Sequence, residues 1–176
     1  MDDHVDYVLD QWAAQRPDLD VSAMAVIGRL KRVSKIVEAR LLRTFAEHGL
    51  DGASFDVLAT LRRSEPPQRL TPAQLVGAAM VTSGAMSQRL DRLEARGLIT
   101  RTPSPSDGRS VQVALTDRGR ALIDQALPDH LATLNRLLGS LDADQRDELA
   151  DALSELLVSL GDGISADRGD RVPRPH

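Results

Sequence analysis

The stretch between residues 82 and 92 concentrates side chains that can hydrogen-bond to nucleic acid. Ser and Thr hydroxyls bond to bases or phosphates, a Gln amide matches an adenine edge, and an Arg guanidinium matches guanine or phosphate. On a helix, the N-terminal side chains would reach base edges in the major groove, and the helix N-terminus itself attracts phosphate. The candidate DNA-binding residues are Thr71, Thr82, Ser83, Met86, Ser87, Gln88, Arg89 and Arg92.

A further cationic group lies in the polar loop at residues 103–109, Pro-Ser-Pro-Ser-Asp-Gly-Arg. Two β-prone runs flank this loop, at residues 98–102 and 110–115, so we predict a hairpin with Arg109 at its tip. A long cationic side chain on a projecting loop can enter a narrow minor groove, where the potential is most negative. Asp107 would support the tip, either by accepting a hydrogen bond in the turn or by orienting Arg109.

The sequence offers little for other kinds of chemistry. It contains no cysteine, which excludes disulfides, thiolate metal sites and thiol redox switches. The four histidines are scattered and never fall three or four residues apart, so we expect no histidine-rich metal site. We find no arrangement of Ser, His and Asp and no phosphate-binding Gly-rich loop, and therefore expect neither an enzyme nor a bound cofactor or metal.

Charge is distributed unevenly along the chain, which has a formal net charge of −4. Residues 81–120 carry seven arginines against four acidic residues, whereas residues 121–176 carry five arginines against eleven. Because contact with phosphate depends on local potential, a basic segment inside an acidic protein can still form a DNA-facing edge.

Hydrophobic periodicity predicts a short helix over residues 6–15 and a long amphipathic helix over residues 21–47, with Pro17 between them. A third helix is predicted to begin with Ser54 as its N-cap and to end before Pro66.

Two shorter helices are predicted next, over residues 72–80 and 83–96. Thr71 fits the N-cap of the first helix, and Gln74 can complete a capping box with it. Gly97 is placed to end the second helix in the left-handed conformation.

After the hairpin, Thr116 is predicted to cap a helix whose apolar face continues past Pro128, where the helix kinks or restarts. Asp142 and Gln145 form a second capping-box pattern before a last, Leu-rich helix. The polar tail after Gly161 is predicted to be disordered.

A short helix, a turn, a second helix and an Arg-tipped hairpin, in this order, indicate a winged helix-turn-helix that binds duplex DNA. The fold class is therefore mainly α with a small antiparallel β-hairpin, and the Leu-rich terminal helices are expected to form a dimerisation body. The alternative is a winged-helix module that docks a protein and has no ligand response. That function would need an apolar recognition helix, whereas Ser83, Ser87, Gln88 and Arg92 are polar.

With these elements in place, the sequence from about residue 22 to residue 160 resembles the MarR family of bacterial regulators. The most specific stretches are residues 87–99, the wing at 107–110 and residues 113–119. The resemblance implies a homodimer that binds palindromic operators, represses nearby genes and is released by small anionic or phenolic ligands.

The N-terminal residues around Trp12 resemble the extra helix of the urate-responsive branch of that family, typified by HucR, PecS and TamR. This resemblance implies a ligand site containing Trp12, Asp56 and Arg89, with urate, a related purine or a phenolic anion as the effector. An indole can stack on a flat purine, and a guanidinium can pair with an anion.

Each of these three residues also has a simpler interpretation. Trp12 can be a packing anchor, Asp56 can interact with its helix dipole, and Arg89 can bind phosphate. Gln88 stands where some members of the branch have Asn.

The expected organisation has four parts: N-terminal helices for dimerisation and a ligand pocket (1–48), the DNA-binding domain (49–118), C-terminal dimerisation helices (119–161) and the tail (162–176). No apolar run reaches the roughly 18 residues of a membrane span, and the acidic N-terminus is unlike a secretion signal. A cytoplasmic protein that does not contact membranes is therefore expected.

Overall fold

The computed structural model describes residues 2–79, 86–103 and 110–162. These ranges contain seven helices and three short strands. The elements are α1 (His4–Gln15), α2 (Ser22–Glu47), α3 (Gly52–Arg63), β1 (Arg69–Leu70), α4 (Pro72–Ala78), α5 (Met86–Ala95), β2 (Ile99–Pro103), β3 (Val111–Leu115), α6 (Asp117–Leu137) and α7 (Ala143–Ser159). No helix in this part of the chain is long and apolar enough to cross a membrane.

The predicted helix starts at α4 and α7 are confirmed. Thr71 Oγ1 accepts from the backbone N–H of Gln74 at 3.2 Å, and Gln74 Oε1 accepts from the N–H of Thr71 at 2.8 Å. Asp142 and Gln145 form the same reciprocal pair at the start of α7. Each box satisfies two backbone donors that would otherwise lack a partner in the first turn.

Helix α3 begins earlier than its sequence predicts. Asp51, rather than Ser54, is the N-cap, because its carboxylate accepts from the backbone N–H of Ser54 at 2.6 Å. Ser54 is therefore the third residue of the helix, where its side chain is buried.

Helix α6 runs through Pro128 without a break, so the predicted restart does not occur. Its start is as predicted, since Thr116 Oγ1 accepts from the N–H of Gly119 at 3.0 Å. Burial holds the helix together on both sides of the proline, at Ala126 and at Thr133. The Thr133 hydroxyl also hydrogen-bonds to that of Thr44 in α2, at 2.9 Å.

The predicted hairpin is part of a three-stranded antiparallel sheet with the order β1-β3-β2. Strand β2 pairs with β3 from Ile99 opposite Leu115 to Pro103 opposite Val111. The two-residue strand β1, which was not predicted from the sequence, pairs with β3 at Ala114 and Val113. The sheet thus ties the segment before α4 to the wing.

A single apolar cluster lies under the helix-turn-helix and the sheet. Its fully buried members are Val57, Leu58, Leu61, Leu75, Leu90, Leu93, Leu98, Ile99, Val113 and Ile123. Burial of this many Leu, Ile and Val side chains, each contributing about 1.5–3 kcal/mol, dominates the stability of this part of the fold.

Two glycines are required by the backbone at the edge of this cluster. Gly97 has φ +66° and ends α5, as predicted. Gly119 packs directly on the chain at Leu98, where a Cβ would lie 1.9 Å from the Leu98 carbonyl oxygen.

Helix α1 packs on α2 through an apolar contact and an ion-pair network. The side chain of Val5 lies over Gly28, where an added Cβ would approach Val5 Cγ1 to 3.2 Å. Beside it, Arg29 donates to Asp3 at 2.8 Å and to Asp6 at 2.5 Å. Hydrogen bonds from the Asp3 backbone and from Arg29 lower the pKa of Asp6 below its ordinary value.

The chain divides into two compact units, residues 1–134 and 135–176. The first contains α1 to α5, the sheet and most of α6. The second contains α7, which buries none of its own residues and leaves Leu149, Leu157 and Val158 exposed. Arg146 donates to the backbone oxygens of Leu138 and Leu141, which fixes the turn before α7. The predicted tail lies almost wholly outside the described residues.

Candidate nucleic-acid interface and ligand cavity

Helix α5 has two chemically distinct faces. Met86, Leu90 and Leu93 point into the apolar cluster and are buried. Ser87, Gln88 and Arg92 are exposed, and Arg89 is partly exposed. Buried residues recur every three to four positions, so the exposed face is continuous along the helix. This face carries hydroxyl, amide and guanidinium groups.

The other predicted DNA-binding residues fall in different places. Met86 is only 3% exposed and belongs to the core, so its side chain packs and offers little surface to a base edge. Thr71 is partly buried and uses its hydroxyl to cap α4. Thr82, Ser83, Asp107 and Arg109 lie outside the described residues.

The N-terminus of α3 faces the arginines of α5. Burial alone would raise the pKa of Asp51, but hydrogen bonds from Ser54 and the charges of Arg89 and Arg92 keep this pKa below its ordinary value. Just past the end of α5, the Arg96 guanidinium lies 3.7 Å from where a Cβ on Gly49 would be. The turn between α2 and α3 therefore lies beside the recognition helix.

On the other side of this turn, a cavity of about 800 Å³ opens between α2, α3 and α6. Its lining combines apolar and aromatic side chains with two arginines and two carboxylates. The lining residues are Phe45, Gly52, Phe55, Asp56, Ala59, Arg62, Arg63, Ile123, Asp124, Leu127, His130 and Leu131. A concave apolar site with a few polar groups is the usual form of a small-molecule site.

Three rings form one wall of this cavity. Phe45 and Phe55 stack with centroids 4.4 Å apart, and His130 lies 4.8 Å from Phe55 and 5.6 Å from Phe45. Burial lowers the pKa of His130, and its Nδ1 is buried without a hydrogen-bond partner among the described residues. At neutral pH the wall is therefore uncharged, and it suits a flat aromatic ligand.

Two arginines lie at the rim of the cavity. Arg62 Nε donates to Asp124 Oδ1 at 2.7 Å, and Arg63 Nη1 lies 4.0 Å from Asp56 Oδ1. Arg63 Nη2 also donates to the backbone oxygen of Ala78, at 2.8 Å, so the rim is connected to the end of α4. Guanidinium groups beside an aromatic wall can bind an aromatic anion.

The structure does not bring the predicted ligand residues together within one chain. Asp56 lines the cavity, with its side chain 15% exposed. Trp12 is 40% exposed and lines a separate surface depression with Gln11 and Gln15. Arg89 lies on α5, beside the start of α3.

Arg62, Arg63, Asp124 and His130 line the cavity but were not among the site residues predicted from the sequence. A partial signal exists, since Phe45 and Phe55 are the two phenylalanines of the chain and Arg62-Arg63 follow the second by about two helical turns. The contribution of α6, more than sixty residues later, has no local signal. Among the described residues, no group of three or more His, Asp or Glu side chains is arranged to hold a metal ion.

Comparisons with known proteins agree with this geometry. The MarR family model matches residues 48–110, which contain the helix-turn-helix and the start of the wing. The chain is 39% identical over 142 residues to the HTH-type transcriptional regulator PecS of Dickeya dadantii (strain 3937), covering 81% of this chain and 86% of PecS. PecS belongs to the branch that the residues around Trp12 indicated.

Solved structures show the same fold. A mutant of MarR from E. coli, complexed with operator DNA, is 29% identical with a TM-score of 0.68, covering 79% of this chain and 99% of that one. BpsR from Bordetella bronchiseptica, solved to explain how 6-hydroxynicotinic acid regulates its DNA binding, is 27% identical with a TM-score of 0.68, covering 74% and 91%. These relatives are regulators and not enzymes, and this chain belongs to the MarR family of winged helix-turn-helix, DNA-binding transcription regulators.

Proposed function

We propose that this chain binds a palindromic operator as a homodimer, acts as a repressor and is released by a small aromatic or anionic ligand. The observation that carries the proposal is the division of α5 into a buried apolar face and an exposed polar face. Such a helix is anchored by its inner side chains, so its outer side chains have fixed positions from which to read a groove.

The exposed side chains of α5 have complementary roles. Gln88 is suited to an adenine edge, and Arg92 to guanine or phosphate. Arg89, beside Asp51, is suited to a phosphate contact that positions the helix. The remaining proposed contacts are Thr71, Thr82, Ser83 and Ser87, together with Arg109 in the wing and Asp107 in support of it. A mutant of E. coli MarR, which shares the fold, has been solved with operator DNA.

A homodimer is supported by the apolar surface that the single chain leaves exposed. On α1, α2 and α7 these side chains are Tyr7, Met24, Val26, Ile27, Val33, Ile36, Leu149, Leu157 and Val158. Surface of this kind marks an interface, and a two-fold interface would place two recognition helices about one DNA turn apart. We assign the exposed apolar side chains within residues 1–48 and 119–161 to this interface, and the DNA-binding domain to residues 49–118.

The effector is proposed to bind in the cavity between α2, α3 and α6. A flat ring would stack on Phe55 and His130, and its anionic group would pair with Arg62 or Arg63. Asp56 could accept N–H groups of a purine such as urate. Trp12 remains a candidate contact in the dimer, where surfaces of two chains meet.

Release of DNA would follow from the contacts around the cavity. Gly52 and Phe55 line it, and the adjacent Asp51 faces Arg89 and Arg92. Arg63 connects the rim to α4. We propose two states of the chain, one that binds DNA and one that does not. A ligand that contacts these groups in only one of the two states would bind them with different affinity. This difference in affinity couples ligand binding to the release of DNA.

Selection of duplexes from a randomised library, followed by fluorescence anisotropy on the enriched sequence, tests the DNA proposal. We expect a palindromic consensus, a dimer by light scattering, and affinity that falls steeply with salt. Urate, hypoxanthine, salicylate and 6-hydroxynicotinate are then titrated into the complex. Failure to enrich any duplex would favour the protein-docking function instead. Enrichment without release by any of these compounds would reject only the ligand proposal.

A further inference from the structure

An ion-pair cluster joins the recognition helix to the first strand of the wing. Arg101 on β2 reaches back across the turn at Gly97 to Glu94 on α5. Its Nε donates to Glu94 Oε2 at 2.8 Å and its Nη2 to the same oxygen at 2.5 Å, while its backbone N–H donates to Glu94 Oε1 at 3.1 Å. Arg101 Nη2 also lies 2.7 Å from Asp91 Oδ1.

The geometry makes this a directional contact rather than a loose surface ion pair. One carboxylate accepts from the guanidinium and from the backbone of the same residue, so both the side chain and the strand are fixed to the helix. The pKa shifts of both partners favour their charged forms. Hydrogen bonding to Arg101 lowers the pKa of Glu94, and hydrogen bonding to Glu94 raises the pKa of Arg101.

The same face of the strand is held by the core. Arg101 stands opposite Val113 in the β2–β3 register, so the two side chains lie on one face of the sheet, which they share with Ile99 two residues earlier on β2. Val113 and Ile99 are buried in the apolar cluster that also contains Leu93 of α5. The wing strands are thus fixed to α5 by apolar packing and, beside it, by the hydrogen bonds of Arg101. The apolar packing resists separation, whereas the hydrogen bonds are directional and determine the direction in which the strands leave the helix.

The cluster also neutralises negative charge next to the exposed face of the recognition helix. Asp91 and Glu94 are two of the four acidic residues in the basic segment 81–120. Unpaired, both carboxylates would repel phosphate close to Arg92. Arg101 offsets them, because its Nε and Nη2 groups are directed at those carboxylates.

We infer that Arg101 is a positioning residue for DNA binding: through Glu94 it sets the wing relative to the recognition helix, so that Arg109 reaches the DNA while α5 occupies the major groove. The inference rests on the proposed function, because it concerns how the two DNA-contacting elements are held at a fixed separation.

A double-mutant cycle between Arg101 and Arg109 tests it. Affinity for the duplex enriched by the wild-type chain is measured for the wild type, Arg101→Met, Arg109→Ala and the double variant. If Arg101 acts through the wing, Arg101→Met weakens binding about tenfold in the wild-type background and less than about twofold when Arg109 is already absent. Arg101→Lys, which keeps the charge but loses the forked hydrogen bonds, is expected to restore less than half of the lost binding energy.

Two controls separate this role from folding. Arg16 makes a comparable two-bond ion pair with Asp18, at 2.8 and 2.7 Å, away from the wing, and Arg16→Met should leave affinity unchanged. Circular dichroism and the thermal midpoint identify variants that fail to fold; if Arg101→Met does not fold, the Arg101→Lys variant replaces it in the cycle.

The outcomes are distinct. Equal losses in both backgrounds would overturn the inference, because Arg101 would then act independently of the wing, either as a direct phosphate contact or through general stability. Full recovery of affinity by Arg101→Lys would overturn it as well, since charge alone would be sufficient. Failure of the wild-type chain to enrich any duplex would overturn the proposed function and this inference together.

Discussion

Arg62 on α3 and Asp124 on α6 are joined by a hydrogen-bonded ion pair of 2.7 Å, and both side chains line the same cavity. This pair lines the cavity together with the wall formed by the Phe45, Phe55 and His130 rings. An anionic ligand that pairs with Arg62 would share this guanidinium with Asp124, so ligand binding would act directly on the α3–α6 contact.

Arg62→Met should therefore weaken the ligand response about tenfold, because it removes a charge-assisted partner of the anion and keeps the length of the side chain. The measurement is the concentration of the most effective compound in the panel that releases half of the enriched duplex. Arg16→Met, which breaks the Arg16–Asp18 pair outside the cavity, serves as the matched control. An unchanged response in Arg62→Met would remove this residue from the ligand site.

Gly119→Ala should destabilise the protein by about 3 kcal/mol. The new Cβ would lie 1.9 Å from the Leu98 carbonyl oxygen, a backbone atom that also accepts a hydrogen bond from the Thr116 N–H at 3.1 Å. Denaturant unfolding at a fixed protomer concentration gives the free energy.

Gly77→Ala is the matched control for that substitution. Gly77 lies in α4 and has nothing within 4 Å of a built Cβ, so alanine there should stabilise the helix by up to about 1 kcal/mol. The two substitutions should change the free energy of unfolding in opposite directions. This difference distinguishes the packing at Leu98 from the general preference of helices for alanine. Similar values for both would contradict the close approach at Gly119.

Stability should decline as the pH falls below about 6.5, the ordinary pKa of histidine. Burial lowers the pKa of His130 in the folded state, so the unfolded chain binds a proton at higher pH than the folded chain does. Acidification therefore stabilises the unfolded state relative to the folded state. The loss develops between the ordinary pKa and the lower folded one. His130→Phe keeps an aromatic ring against Phe45 and Phe55, and it should flatten the decline between pH 7 and 5 while preserving stability at pH 8.

The measurement is the free energy of unfolding at each pH, with protomer concentration held constant. If wild type and His130→Phe lose stability in parallel over this range, His130 is not the titrating group.

Asp51→Asn should strengthen DNA binding about two- to fivefold at low salt. Asn caps a helix as well as Asp does, so α3 keeps its first turn, while the negative charge that faces Arg89 and Arg92 is removed. Asp142→Asn, at the N-cap of α7, is the control and should leave affinity unchanged. Weaker binding by Asp51→Asn would indicate instead that Asp51 positions these arginines for DNA.

Local chemistry accounts for the parts of the fold that are predictable from sequence. The pairs Thr71 with Gln74 and Asp142 with Gln145 are three residues apart, so their reciprocal hydrogen bonds follow from spacing alone. The start of α3 shows the limit of such reasoning, because both Asp51 and Ser54 can cap and only the folded geometry distinguishes them.

Features assembled from distant segments were not predictable in this way. Strand β1 has two residues, too few for any periodicity, and exists because β3 offers it a partner. The cavity is built from α2, α3 and α6, and the ring contacts of Phe45 and Phe55 with His130 span more than seventy residues. Pro128 has the local signature of a break, but packing on both sides keeps α6 continuous.

The exposed polar face of α5 is proposed to read duplex DNA. The affinity of the double variant Gln88→Ala/Arg92→Ala for the enriched duplex, measured over a range of salt concentrations, tests this most directly. Both side chains are exposed, so the variant should fold and unfold as the wild type does. We predict a loss of at least about 100-fold in affinity and a shallower dependence on salt. Wild-type affinity and an unchanged salt dependence in this variant would contradict the account.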